Sequence, residues 1–161
     1  MAIQTFDVTH TSVHDHYFPS LAAFGAGTKP TSTIVGEMVN AESAKLAGAL
    51  LAVGLSATTI NNSSTYPNAH AWCAETIRLG AAIRVMTAIA GAGAVPEAWK
   101  EDLAARYKTL SELGYVALGD APAAADEANG PRSHISEHDL DTGDEDLISD
   151  VIPVFRRSDM L

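Results

Sequence analysis

Residues 66–90, YPNAHAWCAETIRLGAAIRVMTAIA, decide the fold. Ala69, Trp72, Thr76, Leu79, Ile83, Met86 and Ala90 recur every three or four residues, which is one face of a helix. Cys73, Ile77, Ala81, Ala82, Val85 and Ile89 carry apolar surface well beyond that stripe. A helix that is apolar over most of its circumference is buried on several sides. Gly80, Ala81 and Ala82 have so little bulk that another backbone can come close at mid-length. After Glu75 only Arg78 and Arg84 are strongly charged, and both have stems long enough to reach an edge. The stretch is expected to be the central helix of a small bundle.

On its N-terminal side, residues 31–54 predict the first core helix. Thr31, Ser32 or Thr33 after Pro30 supplies a side-chain oxygen for the free amides of the first turn. Ile34, Val35, Met38, Val39, Leu46, Ala49, Leu50 and Val53 follow at helical spacing, with Glu37, Glu42 and Lys45 expected mostly off that stripe. Gly54 offers a stop. Residues 55–68, LSATTINNSSTYPN, are a polar link whose hydroxyl and amide side chains compete with helix for backbone groups. That length hints at contact outside the domain, with Leu55 and Ile60 available to tack the link down.

Gly91-Ala-Gly93 ends the central helix, and residues 96–113 predict a third. Pro96 suits a first turn, and Glu97, Glu101 and Asp102 favour the positive end of the helix dipole. Trp99, Leu103, Arg106, Tyr107, Leu110 and Leu113 share one face. The expected core joins Val35, Val39, Leu46 and Leu50 to Trp72, Leu79, Ile83 and Met86, and these to Trp99, Leu103, Tyr107 and Leu110. The fold class is therefore all-α: a small antiparallel bundle of three main helices over residues 31–119. Residues 1–30 form an N-terminal extension in which Ile3, Phe6 and Val8 alternate with polar neighbours, so a short strand or extended strap is expected.

The composition changes at Asp120. Residues 120–161 hold eleven of the twenty acidic and three of the ten basic residues, a net −8, which leaves −2 for the first 119 residues. Such concentration marks an acidic linker and arm on a near-neutral domain, and argues against binding to a phosphate backbone as the main activity. The small, polar APAAADEANGPRS linker and the acidic HISEHDLDTGDEDLISD run end on VIPVFRRSDML. There Val151, Ile152, Val154 and Phe155, with Ile148 just before them, are too apolar for an inert tail, and Pro153 favours an extended segment over a helix. These residues, with Arg156 and Arg157, are the candidate docking site for a partner's groove or sheet edge.

No set of residues announces catalysis. No phosphate-cradling glycine loop, nucleophile elbow or zinc-protease helix occurs in the sequence. His10, His14 and His16 surround Asp15, but their spacing fits no closed zinc pattern and no cysteine joins them, so a surface turn is the expected reading. His134 and His138 flank Glu137 and would meet only on a helix. Asp139, Asp141, Gly143 and Glu145 superficially resemble a calcium loop without its ligand order, and read as a solvated acidic face. Cys73, the single cysteine, excludes an internal disulfide, fits a reducing compartment and reads as a small buried thiol. No metal, cofactor or catalytic residue is therefore expected. MAIQTFDVTH has neither the basic start nor the apolar run of a secretory signal, and no stretch is apolar enough to span a membrane.

The succession PTSTIVGEMVNAESAKLAGALLAVGL, AHAWCAETIRLGAAIRVMTAIAG and VPEAWKEDLAARYKTLSELG, followed by a tail, resembles the small helical head–tail adaptor (connector) proteins of tailed bacteriophages and gene-transfer agents. The resemblance covers residues 31–119 and includes Arg106, Tyr107, Leu110 and Leu113 in an RY…L…L arrangement on the third helix. The Ser/Thr/Asn loop and the N-terminal strap depart from it. It implies a structural virion protein without enzymatic activity, located at the neck and in the host cytoplasm during assembly. Such adaptors form a homo-oligomeric ring, usually of twelve copies, between the portal protein and a stopper or tail-completion protein. DNA passes through the ring without specific binding, and a C-terminal arm grips the portal. The alternative from another class is a small acidic helical regulatory or DNA-mimic protein that binds a basic partner.

Overall fold

The computed structural model of the protein describes residues 3–121. The candidate docking residues Ile148 to Arg157, His134 and His138, and the acids from Glu137 to Asp146 lie outside the described residues. Among the described residues are five α-helices and no strand: α1 (His10–Tyr17), α2 (Ser32–Ala52), α3 (Ala57–Ile60), α4 (Pro67–Ala90) and α5 (Glu97–Leu113). Single turns of 3-10 helix follow α4 at Ala92–Ala94 and α5 at Gly114–Leu118. The architecture is a small antiparallel helical bundle, in which α2 and α4 form the central pair and α5 and α1 pack across them.

Local chemistry sets the helix ends. The Thr31 hydroxyl accepts the Ile34 amide at 3.4 Å and opens α2. Gly91 closes α4 at φ +85°, a conformation a side chain would oppose. Pro96 is the cap residue of α5 and not part of its first turn. The polar link of residues 55–68 is less open than expected. Leu55 and Ile60 are buried, the short α3 lies between them, and Asn61 Nδ2 donates to Gln4 Oε1 at 2.7 Å.

The core differs from the expected stripe in its angular position. Val35, Val39, Leu46, Leu50 and Leu110 are buried in it. On α4, however, the face against the bundle is Ala69, Cys73, Thr76, Ile77, Gly80, Ala81 and Val85, all buried. Trp72 and Met86 are half-buried on its flank, Ile83 is half-buried outside the core cluster, and Leu79 is buried but apart from that cluster. The small residues let α2 approach closely, so they take the centre and the larger side chains turn to the edge. On α5 only Leu110 is buried. Trp99 and Tyr107 pack partly on the core, Leu103 is half-buried and Leu113 is 53% exposed. This helix caps the groove between α2 and α4 with one stripe and leaves its margins in solvent.

Glu42 corrects the sequence reading most sharply. It lies on the buried stripe of α2 and is only 4% exposed. Arg84 Nε of α4 donates to its Oε1, and Lys45 Nζ stands 4.0 Å from Oε2 while also lying over the Tyr107 ring at 4.5 Å. The carboxylate fits because it faces Gly80, where an added Cβ would meet Glu42 Oε2 at 2.6 Å and its Cγ at 2.9 Å.

The N-terminal segment is also corrected: it is no strand and no loose strap. Phe6 and Asp7 both take positive φ, 50° and 59°, in a turn closed by the Val8 amide on the Thr5 carbonyl. Thr9 and Ser12 then form a reciprocal capping box that starts α1. Phe6, Val8, Val13, Phe18 and Phe24 are all buried in the same core as α2 and α4. The segment folds back on its own domain.

Gly80→Ala tests the central crossing. Overpacking costs typically 1–3 kcal/mol against a helix-propensity gain of about 1 kcal/mol, so a net destabilisation of about 1 kcal/mol is expected. In a Glu42→Ala background the same change should be neutral or stabilising by up to about 1 kcal/mol. Thermal unfolding of the four chains measures this, and equal effects in both backgrounds would refute the contact.

Candidate interaction surface

The described chain ends in a fixed position. Leu118 is buried beneath the last 3-10 turn, and Gly119 at φ +79° turns the backbone so that Asp120 faces the start of α4. Asp120 Oδ2 accepts the Asn68 amide at 2.8 Å and Oδ1 accepts the Ala69 amide at 2.7 Å. Tyr66, the residue preceding α4, makes no capping bond of its own. A carboxylate from the other end of the domain thus satisfies two free amides and meets the positive end of the helix dipole. Sequence reasoning placed Asp120 at the boundary of the domain but missed this role. The missing cap at Tyr66-Pro67 was the available hint, and nothing local to it identifies a partner fifty-two residues away.

The polar residues of α1, α4 and α5 meet at one junction. The Tyr17 hydroxyl donates to Glu75 Oε1 at 2.7 Å, Arg78 Nη1 donates to Oε2, and His16 Nε2 lies 3.6 Å from Oε1. Arg106 of α5 reaches Thr76 Oγ1 at 3.5 Å and Asp102 at 3.3 Å, and the Trp99 ring meets Tyr17 edge-on at 5.0 Å. Burial alone would raise the Glu75 carboxyl pKa. The Tyr17 hydroxyl, then Arg78, His16 and Arg106, outweigh it and hold that pKa below the ordinary value. Burial, followed by the hydrogen bond to Glu75, pushes the Tyr17 hydroxyl well above its usual range.

His10, His14 and His16, expected on a surface turn, stand on α1 and do not converge: His14 bonds Asp15 and the Leu21 carbonyl, and His16 approaches Glu75. On α4, His70 stands 3.4 Å from Asp7 beside the Phe6 ring. No group of three or more His, Cys, Asp or Glu residues is placed to hold a metal ion among the described residues. A shallow cleft brings Ser12, Asp15, His16 and Arg78 together, but the Ser12 hydroxyl is committed to the Thr9 backbone in the capping box. Cys73 is fully buried, and burial pushes its thiol up to about 12, far from reactive.

Exposed apolar surface gives a different kind of feature. A groove of about 290 Å³ runs between the start of the described chain and the end of α2, lined mostly by apolar residues (Ile3, Ala44, Ala47, Leu51, Leu55 and Ala57) with Gln4, Ser56 and Thr58 beside them and no charged side chain. Leu51 is 73% exposed and Ile3 52% exposed, so the rim is apolar as well. Contiguous apolar surface of this kind suits a protein contact better than a polar substrate. Among the described residues no helix is long and apolar enough to cross a membrane.

Two measurements check these assignments. Tyr17→Phe should cost about 1 kcal/mol, the usual worth of such a hydrogen bond, and should raise the Glu75 pKa in a carboxyl NMR titration. Because that pKa is depressed on folding, the contribution of Glu75 is present above its ordinary value and is lost as pH falls through the folded one. Asp120→Ala should destabilise the domain by about 1 kcal/mol and deprotect the Asn68 and Ala69 amides in hydrogen exchange. Unchanged protection would show that the carboxylate does not cap α4.

No family model, no curated protein and no solved structure matches the chain, so the reading of its function rests on its own residues.

Proposed function

We propose that the protein is a structural component of a tailed-phage or gene-transfer-agent neck, a head–tail adaptor whose helical body carries a C-terminal docking arm. The carrying observation is the division of the chain at Asp120. Before it stands a helical body of net charge −2; after it come forty-one residues in which a strongly acidic run precedes the apolar Val151, Ile152, Val154 and Phe155. A body that fixes the root of its tail on its own longest helix, through Asp120, suits a protein that presents that tail to a partner. The body itself offers an uncharged groove suited to contact with neighbouring subunits.

In this reading the ring is built from copies of the helical body, usually twelve, between portal and stopper. Ile148, Val151, Ile152, Val154 and Phe155 are the anchors on the portal, and Arg156 and Arg157 pair with its acidic residues. A net negative chain lines the DNA path without holding it, since each neutralised phosphate adds affinity.

The second reading, a DNA-mimic or regulatory protein, is favoured by one feature: the six acids between Glu137 and Asp146. The two readings place binding in different segments. Deleting residues 148–161 should leave the helical circular-dichroism signal intact and abolish attachment to a candidate portal protein, as seen by electron microscopy of the mixture. Retained attachment would refute the docking arm. Loss of binding to a basic partner on neutralising Glu137, Asp139 and Asp141 would support the mimic.

A further inference from the structure

We infer that His14 is held as an imidazolium that ties the Phe18–Phe24 loop to α1, so that the fastening of the N-terminal segment onto the bundle depends on pH. The argument is one of hydrogen-bond valence. His14 Nδ1 lies 2.8 Å from Asp15 Oδ1 and Nε2 lies 2.9 Å from the Leu21 carbonyl oxygen. A carboxylate and a carbonyl only accept, so both ring nitrogens must donate, and only the doubly protonated ring has two N–H groups. A neutral ring has one, and must leave one of these acceptors facing a lone pair. The bond it keeps also loses its charge assistance.

The surroundings make this tie structural. The His14 side chain is 12% exposed and packs edge-on against Phe24, with ring centroids 5.5 Å apart. Phe24 meets Phe18 at 6.0 Å, and Phe18 meets Trp99 of α5 at 6.1 Å. Phe18 and Phe24 are both buried, so the loop that His14 holds closes one side of the core. At the C-terminal turn of α1 the carbonyl end of the helix dipole also favours a cation.

Among the described residues, Asp15 is the one charged group acting on His14. The charged residues of α4 that reach α1, Glu75 and Arg78, engage each other, Tyr17 and His16. No charged group of α2, α4 or α5 contributes to its titration. The hydrogen bond donated to Asp15, then that to the Leu21 carbonyl, raise its pKa above the ordinary 6.5 against a lowering by burial. A pKa raised on folding gives a tie fully present below that ordinary value and lost as pH rises through the folded one.

The test uses the full chain. NMR titration of the His14 ring should give a midpoint above the 6.5 reference in the wild type and a lower one in Asp15→Asn, which keeps the Leu21 bond. Amide exchange across Leu21 to Phe24, corrected for intrinsic pH dependence, should speed up severalfold through that midpoint. In His14→Gln it should be fast at every pH. A midpoint at or below the reference, or a loop as well protected in His14→Gln as in the acidic wild type, would overturn the inference. The Asp15→Asn arm keeps the test decisive if His14→Gln fails to fold.

Discussion

The packing of α2 against α4 rests on a carboxylate set against a glycine. Glu42 projects from the buried face of one helix onto Gly80 of the other, and Arg84 takes its charge from the side. A glycine at mid-helix costs about 1 kcal/mol relative to alanine, and a buried carboxylate is costly unless paired. Each is tolerable because of the other. The glycine provides the space, and an arginine whose own side chain is 46% exposed pairs with Oε1, while Oε2 is buried with no hydrogen bond and has the Lys45 charge 4.0 Å away. The contact also fixes register, since a shift of either helix would leave the carboxylate against a side chain or without its arginine.

Around that crossing, the remaining elements are held by polar contacts at their ends and by aromatic side chains between them. Tyr17, Phe18, Phe24 and Trp99 form a continuous set of edge-on rings that joins the N-terminal segment to α5. Tyr17 bonds Glu75 of α4, and Asp120 bonds the first amides of that helix. α1, α5 and both 3-10 turns are therefore referred to α4, which receives α1 at its middle and the end of the described domain at its start. That arrangement gives the following residues a fixed point of departure, the property a docking arm needs if it is to reach a partner at a defined site.

The sequence shows chemistry that the fold then uses for structure. Serine, histidine and aspartate cluster on α1 in a combination that would suit a reactive site. Ser12 spends its hydroxyl on the capping box, and His14 spends both ring nitrogens on Asp15 and Leu21. The single thiol is enclosed by apolar neighbours. Among the described residues, Leu51, Val116, Leu113 and Ile3 leave large apolar side chains exposed at the surface.

Periodicity and punctuation by themselves determined the helical class, the three main helices and nearly all their ends. Apolar spacing, Thr31, Pro67 and Gly91 act within a few residues of where they stand. The break in composition at Asp120 is equally local. Tertiary structure alone decided which face of α4 is central, because Cys73, Ile77 and Ala81 compete with Trp72, Ile83 and Met86 until a neighbour selects the flatter side. It also decided the burial of Glu42, which reads as a surface acid until Gly80 and Arg84 are brought opposite it. The N-terminal helix was hidden for a related reason: the residues just before it alternate like a strand, and only the turn at Phe6-Asp7 and the aromatic contacts across the chain fold the segment back. Interactions between residues far apart in sequence leave no periodic trace along it, and these are the ones that set the angle of each helix and the root of the C-terminal segment.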